Sequence, residues 1–186
     1  SLADFICPES YGKTDYMGAF AVTAGLNISP LLDEFEQGHD DYSNILLKAL
    51  ADRLAEAFAE YLHYKVRTSY WGYSDEYFDN ERFIREDYEG IRPAPGYPAC
   101  PDHTEKWTLF SLLGVPERIG VHLTESLAML PASSVSGFYF AHPEARYFAV
   151  GKLGEDQLRA YSTRKNLSFK ETEQWLRSNL AYEPES

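Results

Sequence analysis

Between Asp41 and Arg67 an apolar residue recurs at every fourth position, Leu46, Leu50, Leu54, Phe58, Leu62 and Val66, with Ile45, Ala49, Ala57 and Tyr61 widening the stripe. A recurrence of four sustained over so many turns fits a helix and no strand, because a strand repeats every second residue. Such a helix is roughly 40 Å long at about 1.5 Å per residue, close to the diameter of a small domain. The rest of the chain must therefore pack around it, and the pattern predicts a long helix well buried along its leucine stripe.

Around that helix the signals are shorter. Residues 16–25 form an apolar run closed by Gly25 and read as a buried strand. Ser29-Pro30 supplies a capping hydroxyl and a first-turn proline for a short helix. Trp71, Gly72, Tyr73, Tyr77 and Phe78 make an aromatic connector to a short charged helix over 80–89. Asp102 and Glu105 have capping-box spacing ahead of a helix ending at Leu113, as do Ser168 and Glu171 ahead of one carrying Trp175 and Leu176, and Glu155 to Lys165 is helical. The pattern predicts a strand within 121–129, and a hairpin in which 134–140 pairs with 146–152 around His142-Pro143-Glu144-Ala145. Helices and strands mix without βαβ alternation, which argues for an α+β fold with a largely antiparallel sheet.

The 186 residues suit one domain, with 44% hydrophobic and 15% aromatic content to supply a core. A formal charge of −12 opposes binding to nucleic acid or to an anionic membrane surface. Cys7 and Cys100 lie far apart with no metal-type spacing, and they read as reduced thiols of a cytoplasmic protein. No apolar run approaches the roughly 20 residues that cross a bilayer. The chain starts at Ser1 without a methionine, as a piece of something longer would.

Gly90 to Pro101 holds four prolines and two glycines around Arg92 and Tyr97. Prolines remove backbone donors and fix φ, so this segment is a stiff loop. On composition it is a connector between elements; stiffness would equally let Arg92 and Tyr97 meet a ligand at little ordering cost. On the long helix Asp52, Glu56, Glu60 and His63 share a stripe opposite the leucines. That spacing alone describes a solvated face, whereas Glu56, beside the small Ala55 and Ala59, could point into a cleft and suit a cationic or amine-bearing ligand. His39-Asp40-Asp41 is better explained as a turn and cap than as a metal site. His103, ahead of the capped helix, suits either acid/base work or hydrogen bonds to loop carbonyls. Ser126, Ser134 and Ser136 lack the Gly-x-Ser-x-Gly elbow, and no dinucleotide or P-loop fingerprint occurs. Tyr139, Phe140, Tyr147 and Phe148 read as cross-strand packing, or, beside the loop, as aromatic edges for a flat heterocycle or a sulfonium.

Asp40-Asp41-Tyr42-Ser43, the run Lys48-Ala49-Leu50-Ala51-Asp52-Arg53-Leu54-Ala55-Glu56-Ala57, Gly90 to Lys106, Leu123-Thr124-Glu125-Ser126, Val135-Ser136-Gly137 and Tyr147-Phe148-Ala149-Val150 occur in this order over nearly the whole chain. In these blocks the sequence resembles the C-terminal activation domain of cobalamin-dependent methionine synthase. The resemblance implies an α+β fold with a twisted antiparallel sheet and flanking helices, and a cleft that binds S-adenosylmethionine. It implies a role in reductive reactivation, in which flavodoxin or a flavoprotein reductase supplies an electron and S-adenosylmethionine methylates cob(I)alamin held by another module. Cobalamin, and a zinc ion further away, would belong to other modules of such an enzyme. The family's ligand loop corresponds to Arg92, Ala94, Gly96 and Tyr97, its helix carboxylate to Glu56, and its hairpin contact to Tyr147 and Phe148. On this basis Arg92 would meet a ligand carboxylate or backbone oxygen, Glu56 the methionyl ammonium, and the loop backbone the adenine or ribose edge.

The family's domain also has a Trp- and Phe-rich N-terminal segment, and nothing resembling it occurs ahead of Ser1. The expectation is one activation domain over 1–186 that lacks one wall of its cleft, with exposed apolar surface that favours self-association. It would supply no acid, base or nucleophile and would not turn over alone. Two other readings remain: a docking surface for an electron-transfer protein through Arg159, Arg164, Lys165 and Lys170, and a hydrolase built on Glu56 and His63.

Overall fold

The computed structural model describes residues 1–184. Its centre is an antiparallel strand pair, β1 (Gly18–Thr23) and β4 (Ser134–Tyr139), in register from Gly18 opposite Tyr139 to Thr23 opposite Ser134. Alternation along β1 sorts its side chains onto two faces. Phe20 and Val22 join Tyr139 and Ala59 in one core, which Leu62, Val66 and Trp71 extend. Ala19 and Ala21 face a second core of Leu109, Phe110, Val115 and Val121.

The first face is covered by α2 (Asp41–Lys65), the second by α4 (Glu105–Leu113) and α5 (Val115–Ile119). A short helix α1 (Ser29–Gln37) lies against α2. Helix α3 (Asn80–Ile84) precedes the proline loop, and β2 (His122–Leu123) pairs with β3 (Met129–Leu130). The helices α6 (Glu155–Lys165) and α7 (Phe169–Trp175) close a third core on Leu158, Leu176 and Leu180. The architecture is α+β with small antiparallel sheets between helices. Among the described residues no helix is long and apolar enough to cross a membrane.

Several expectations change. The long helix forms, and Asp40 caps it by accepting the Ser43 N–H at 3.0 Å, but its leucines do not face the core. Leu46, Leu50, Leu54 and Phe58 are 44–63% exposed, whereas Ala51, Ala55, Ala59 and His63 are buried. Small side chains let the helix backbone approach the sheet closely, and that contact outweighs the larger transfer energy of the leucine stripe. Leu62 and Val66 alone of the stripe pack against the first core, where the helix passes into a π turn at Val66–Tyr70.

The expected hairpin is absent: 134–139 pairs with β1, and 146–152 carries no strand among the described residues. Both edges of β4 are taken. β1 holds one, and on the other Phe138 N–H donates to Pro93 O at 2.9 Å while Ile91 and Phe140 exchange two hydrogen bonds of 3.0 Å. The 121–129 segment is a turn between β2 and β3 rather than one strand. Asp102 does not cap α4 directly; it accepts Thr104 N–H at 2.7 Å, one turn ahead of a helix that starts at Glu105. Ser29 likewise sits inside α1, behind Ile28. Ser168 does cap α7, accepting Glu171 N–H at 3.2 Å.

Candidate functional site

The proline loop is stitched to its surroundings along its length. Beyond the β4 contacts at Ile91 and Pro93, Gly96 N–H donates to Cys100 O at 2.7 Å, Cys100 N–H to Tyr97 O at 2.9 Å, and Val150 N–H to Pro98 O at 2.9 Å. Two glycines make this possible. Gly96 holds φ at +95°, where a Cβ would stand 2.2 Å from the His103 ring, and a Cβ at Gly137 of β4 would stand 2.7 Å from Pro93 O. The loop is thus a fixed wall, and His103 is the buttress behind its bend. Burial, then the neighbouring Lys106, lowers the His103 pKa, and Lys106 Nζ lies 3.2 Å from its Nδ1.

Against this wall opens a cavity of about 480 Å³, lined by Asp52, Arg53 and Glu56 of α2, Tyr97 of the loop, and Ser133 to Val135 at the start of β4. Ser133 donates to Asp52 at 2.6 Å, joining the strand to the helix across the cavity floor. Glu56 and Tyr97 are therefore brought together, both exposed and on opposite walls.

Arg92 lies elsewhere on the same loop, in a separate cluster. Its Nη2 pairs with Glu60 Oε2 at 2.7 Å, its Nη1 donates to the Tyr88 hydroxyl at 2.9 Å, and His63 Nδ1 stands 3.5 Å from Nη1. The Arg92 backbone N–H donates to the Tyr147 hydroxyl at 3.1 Å, so this predicted pair also meets. Burial works against the Arg92 charge, but Tyr88, Glu60 and Tyr147 more than offset it, and the pKa stands above its ordinary value. Burial also raises the Tyr88 and Tyr147 hydroxyls, so both stay protonated. Glu60 is one helical turn, about 6 Å along the axis, from Glu56. The two clusters are thus adjacent along α2, and Ala94 lies between Arg92 and Tyr97 in the loop. Phe148 is apart from both, its ring packed beside Phe5 at 6.4 Å between centroids.

The acidic stripe on α2 is not one solvated face. Asp52 and Glu56 face the cavity, Glu60 is half-buried against Arg92, and His63 is wholly buried, stacked on Tyr139 at 5.1 Å. Burial, then Arg67 and Arg92, pushes the His63 pKa down to about 2. An imidazole so weakly basic and sealed from any substrate proton cannot serve as a general base, which leaves the hydrolase reading built on Glu56 and His63 without its base. Arg67, also wholly buried, pairs with Glu76 and lies over the Tyr88 ring at 3.9 Å. Tyr88 thus carries one cation on its face and receives another at its hydroxyl. Neither Tyr88 nor Ser133 carried a sequence signal; the only hint at Tyr88 is its place four residues ahead of Arg92.

Cys100 is half-buried near Glu105 and Asp102; burial, then these two carboxylates, push its thiol up to about 12. Of the cations in the suggested docking segment, Arg159 pairs with Glu155 at 2.5 Å and Lys165 with Glu105 at 2.6 Å.

Residues 1–166 match the sequence model of the family described as vitamin B12 dependent methionine synthase, activation domain. A solved structure, "Crystal Structure of the MetH Reactivation Domain bound to AdoHcy", superposes with a TM-score of 0.95 at 58% sequence identity, covering 98% of this chain. The chain spans 56% of the length of that relative. On the extent of both matches, the chain belongs to the activation-domain family of vitamin B12-dependent methionine synthases.

Proposed function

We propose that this chain binds S-adenosylmethionine between α2 and the proline loop and presents its methyl group to cob(I)alamin during reductive reactivation of a cobalamin-dependent methionine synthase. The observation that carries the proposal is the likeness, at 58% identity, to a reactivation domain bound to AdoHcy, the demethylated form of that ligand. The residues present fit such a group. The cavity of about 480 Å³ is of the size that takes a small ligand, and Glu56 offers a carboxylate to an ammonium or sulfonium. Arg92 offers a guanidinium whose Nε hydrogen has no partner among the described residues, and Tyr97 an exposed aromatic face.

When bound, S-adenosylmethionine supplies an electrophilic methyl on sulfur. The chain's own part is to hold it. Arg92 takes the ligand carboxylate, Glu56 the ammonium, and the backbone from Ala94 to Gly96 the adenine or ribose edge, with Tyr147 beside Arg92 completing the far side and Phe148, packed on Phe5, outside it. The stitched loop fixes these groups before the ligand arrives, which lowers the ordering cost of binding. No acid or base is required of the chain, because the methyl leaves sulfur with the bond pair remaining behind on S-adenosylhomocysteine. The acceptor and the reductase, flavodoxin or a flavoprotein, act from other modules or partners, in the cytoplasm.

Calorimetric titration with S-adenosylhomocysteine tests the binding step. The expected result is saturable binding that Arg92→Ala weakens by at least tenfold. Binding that is indifferent to Arg92→Ala and Glu56→Gln, with thermal stability unchanged, would place the ligand elsewhere. The docking alternative rests on fewer free cations than its segment suggests, since Arg159 and Lys165 are paired within the chain.

A further inference from the structure

Arg92 is held more tightly than a ligand-binding arginine on a loop needs to be if its only task were to supply charge. A guanidinium has five N–H donors in one plane, so fixing some of them fixes the direction of the rest. Here three groups from two other segments converge on one edge: Glu60 on Nη2, and the Tyr88 hydroxyl and His63 Nδ1 on Nη1. Because a guanidinium only donates, His63 Nδ1 is the acceptor of its contact, and Tyr88 accepts from Arg92 while its ring supports Arg67. The side chains of Arg92 and Glu60 are 17% and 21% exposed, so the pair is shielded from solvent without being sealed. Among the described residues no side chain or backbone group takes the Nε hydrogen, which leaves that side of the guanidinium to an incoming anion, next to the Nη2 that Glu60 holds.

We propose that Glu60, with Tyr88, is a positioning residue that aims the free edge of Arg92 at the carboxylate of the ligand's amino-acid part. The inference rests on the S-adenosylmethionine reading of this site and adds to it a residue that acts through Arg92 without touching ligand. Glu60 opposes the ligand carboxylate by charge and assists it by orientation, and the sign of its effect depends on whether Arg92 is there. With Arg92 present, orientation prevails. Without it, Glu60 is an unpaired carboxylate beside the place where another carboxylate must sit.

The test is a double-mutant cycle read by calorimetry with two ligands, S-adenosylhomocysteine and methylthioadenosine, which keeps the nucleoside thioether but has no carboxylate. Glu60→Ala is expected to weaken S-adenosylhomocysteine at least tenfold and to leave methylthioadenosine within twofold. In an Arg92→Ala background the same change is expected to cost nothing further or to strengthen binding. Glu60→Gln, which keeps an acceptor without the charge, should fall between wild type and Glu60→Ala. Equal losses for both ligands, or an undiminished loss in the Arg92→Ala background, would show a merely structural role and overturn the proposal. If wild type binds both ligands equally well, the adenosine reading stands and the Arg92–Glu60 inference falls. If it binds neither, the S-adenosylmethionine reading itself falls and takes this inference with it.

Discussion

His63 shows how one side chain can read as a functional group and be its opposite. In the sequence it extends an acidic stripe, as a general base would; in the structure it lies under Tyr139, flanked by Arg67 and Arg92, with its pKa near 2. The unfolded chain would protonate it near its ordinary value of 6.5, while the folded chain does not. Stability from this residue is therefore complete above about pH 7 and is lost as pH falls below 6.5. Between pH 7 and pH 5 the loss is about 2 kcal/mol, from one proton bound only by the unfolded state. Urea midpoints for wild type and His63→Gln check this, and the variant should show the shallower decline. A His63 ring whose NMR shifts titrate between pH 8 and pH 5 would contradict it.

Helix α2 carries the clearest signal in the sequence and the largest correction. Its existence and extent follow from periodicity, and its cap from Asp40, because helix formation is local. Which face it buries is not local. Ala51, Ala55 and Ala59 are buried, with Ala59 packed on Phe20, Val22 and Tyr139 of the strand pair, and no local pattern encodes how closely the sheet approaches. Ala59→Leu is accordingly expected to cost about 1–3 kcal/mol by overpacking, while Leu54→Ala on the exposed face stays within about 0.5 kcal/mol; chemical denaturation distinguishes them. The proline loop tells the converse. Its stiffness was plain from composition, yet its partner was not, because hydrogen bonding to the edge of β4 through Pro93 and Ile91 spans about fifty positions of sequence. That same contact displaces the hairpin that local alternation predicts. At the candidate site the family motifs name residues that the fold brings together, Glu56 with Tyr97 and Arg92 with Tyr147, whereas the contacts of Tyr88 and Ser133 exist only between segments distant in sequence or joined by the fold.

Among the described residues two cores lie on the two faces of the β1–β4 pair, and a third is closed by the C-terminal helices. The C-terminal helices attach to the segment after the proline loop and to α4 through Tyr161, whose hydroxyl reaches Asp102 at 2.5 Å, and through Lys165 and Glu105. Over its opposite flank α2 exposes Tyr42, Ile45, Leu46, Leu50, Leu54, Phe58 and Tyr61. A contiguous apolar surface of this extent on a chain of charge −12 invites association despite mutual repulsion. Sedimentation velocity should show concentration-dependent growth of the species, reduced by Leu50→Glu with Leu54→Glu; a monomer indifferent to concentration and salt contradicts this. The central claim concerns the other flank, where α2 meets the proline loop. A crystal structure of the chain with S-adenosylhomocysteine tests it most directly. The ligand's carboxylate is expected on the Nε side of Arg92 and its body along the loop between Tyr97 and Tyr147. Ligand density away from that loop, with Arg92 and Glu60 untouched, would contradict it.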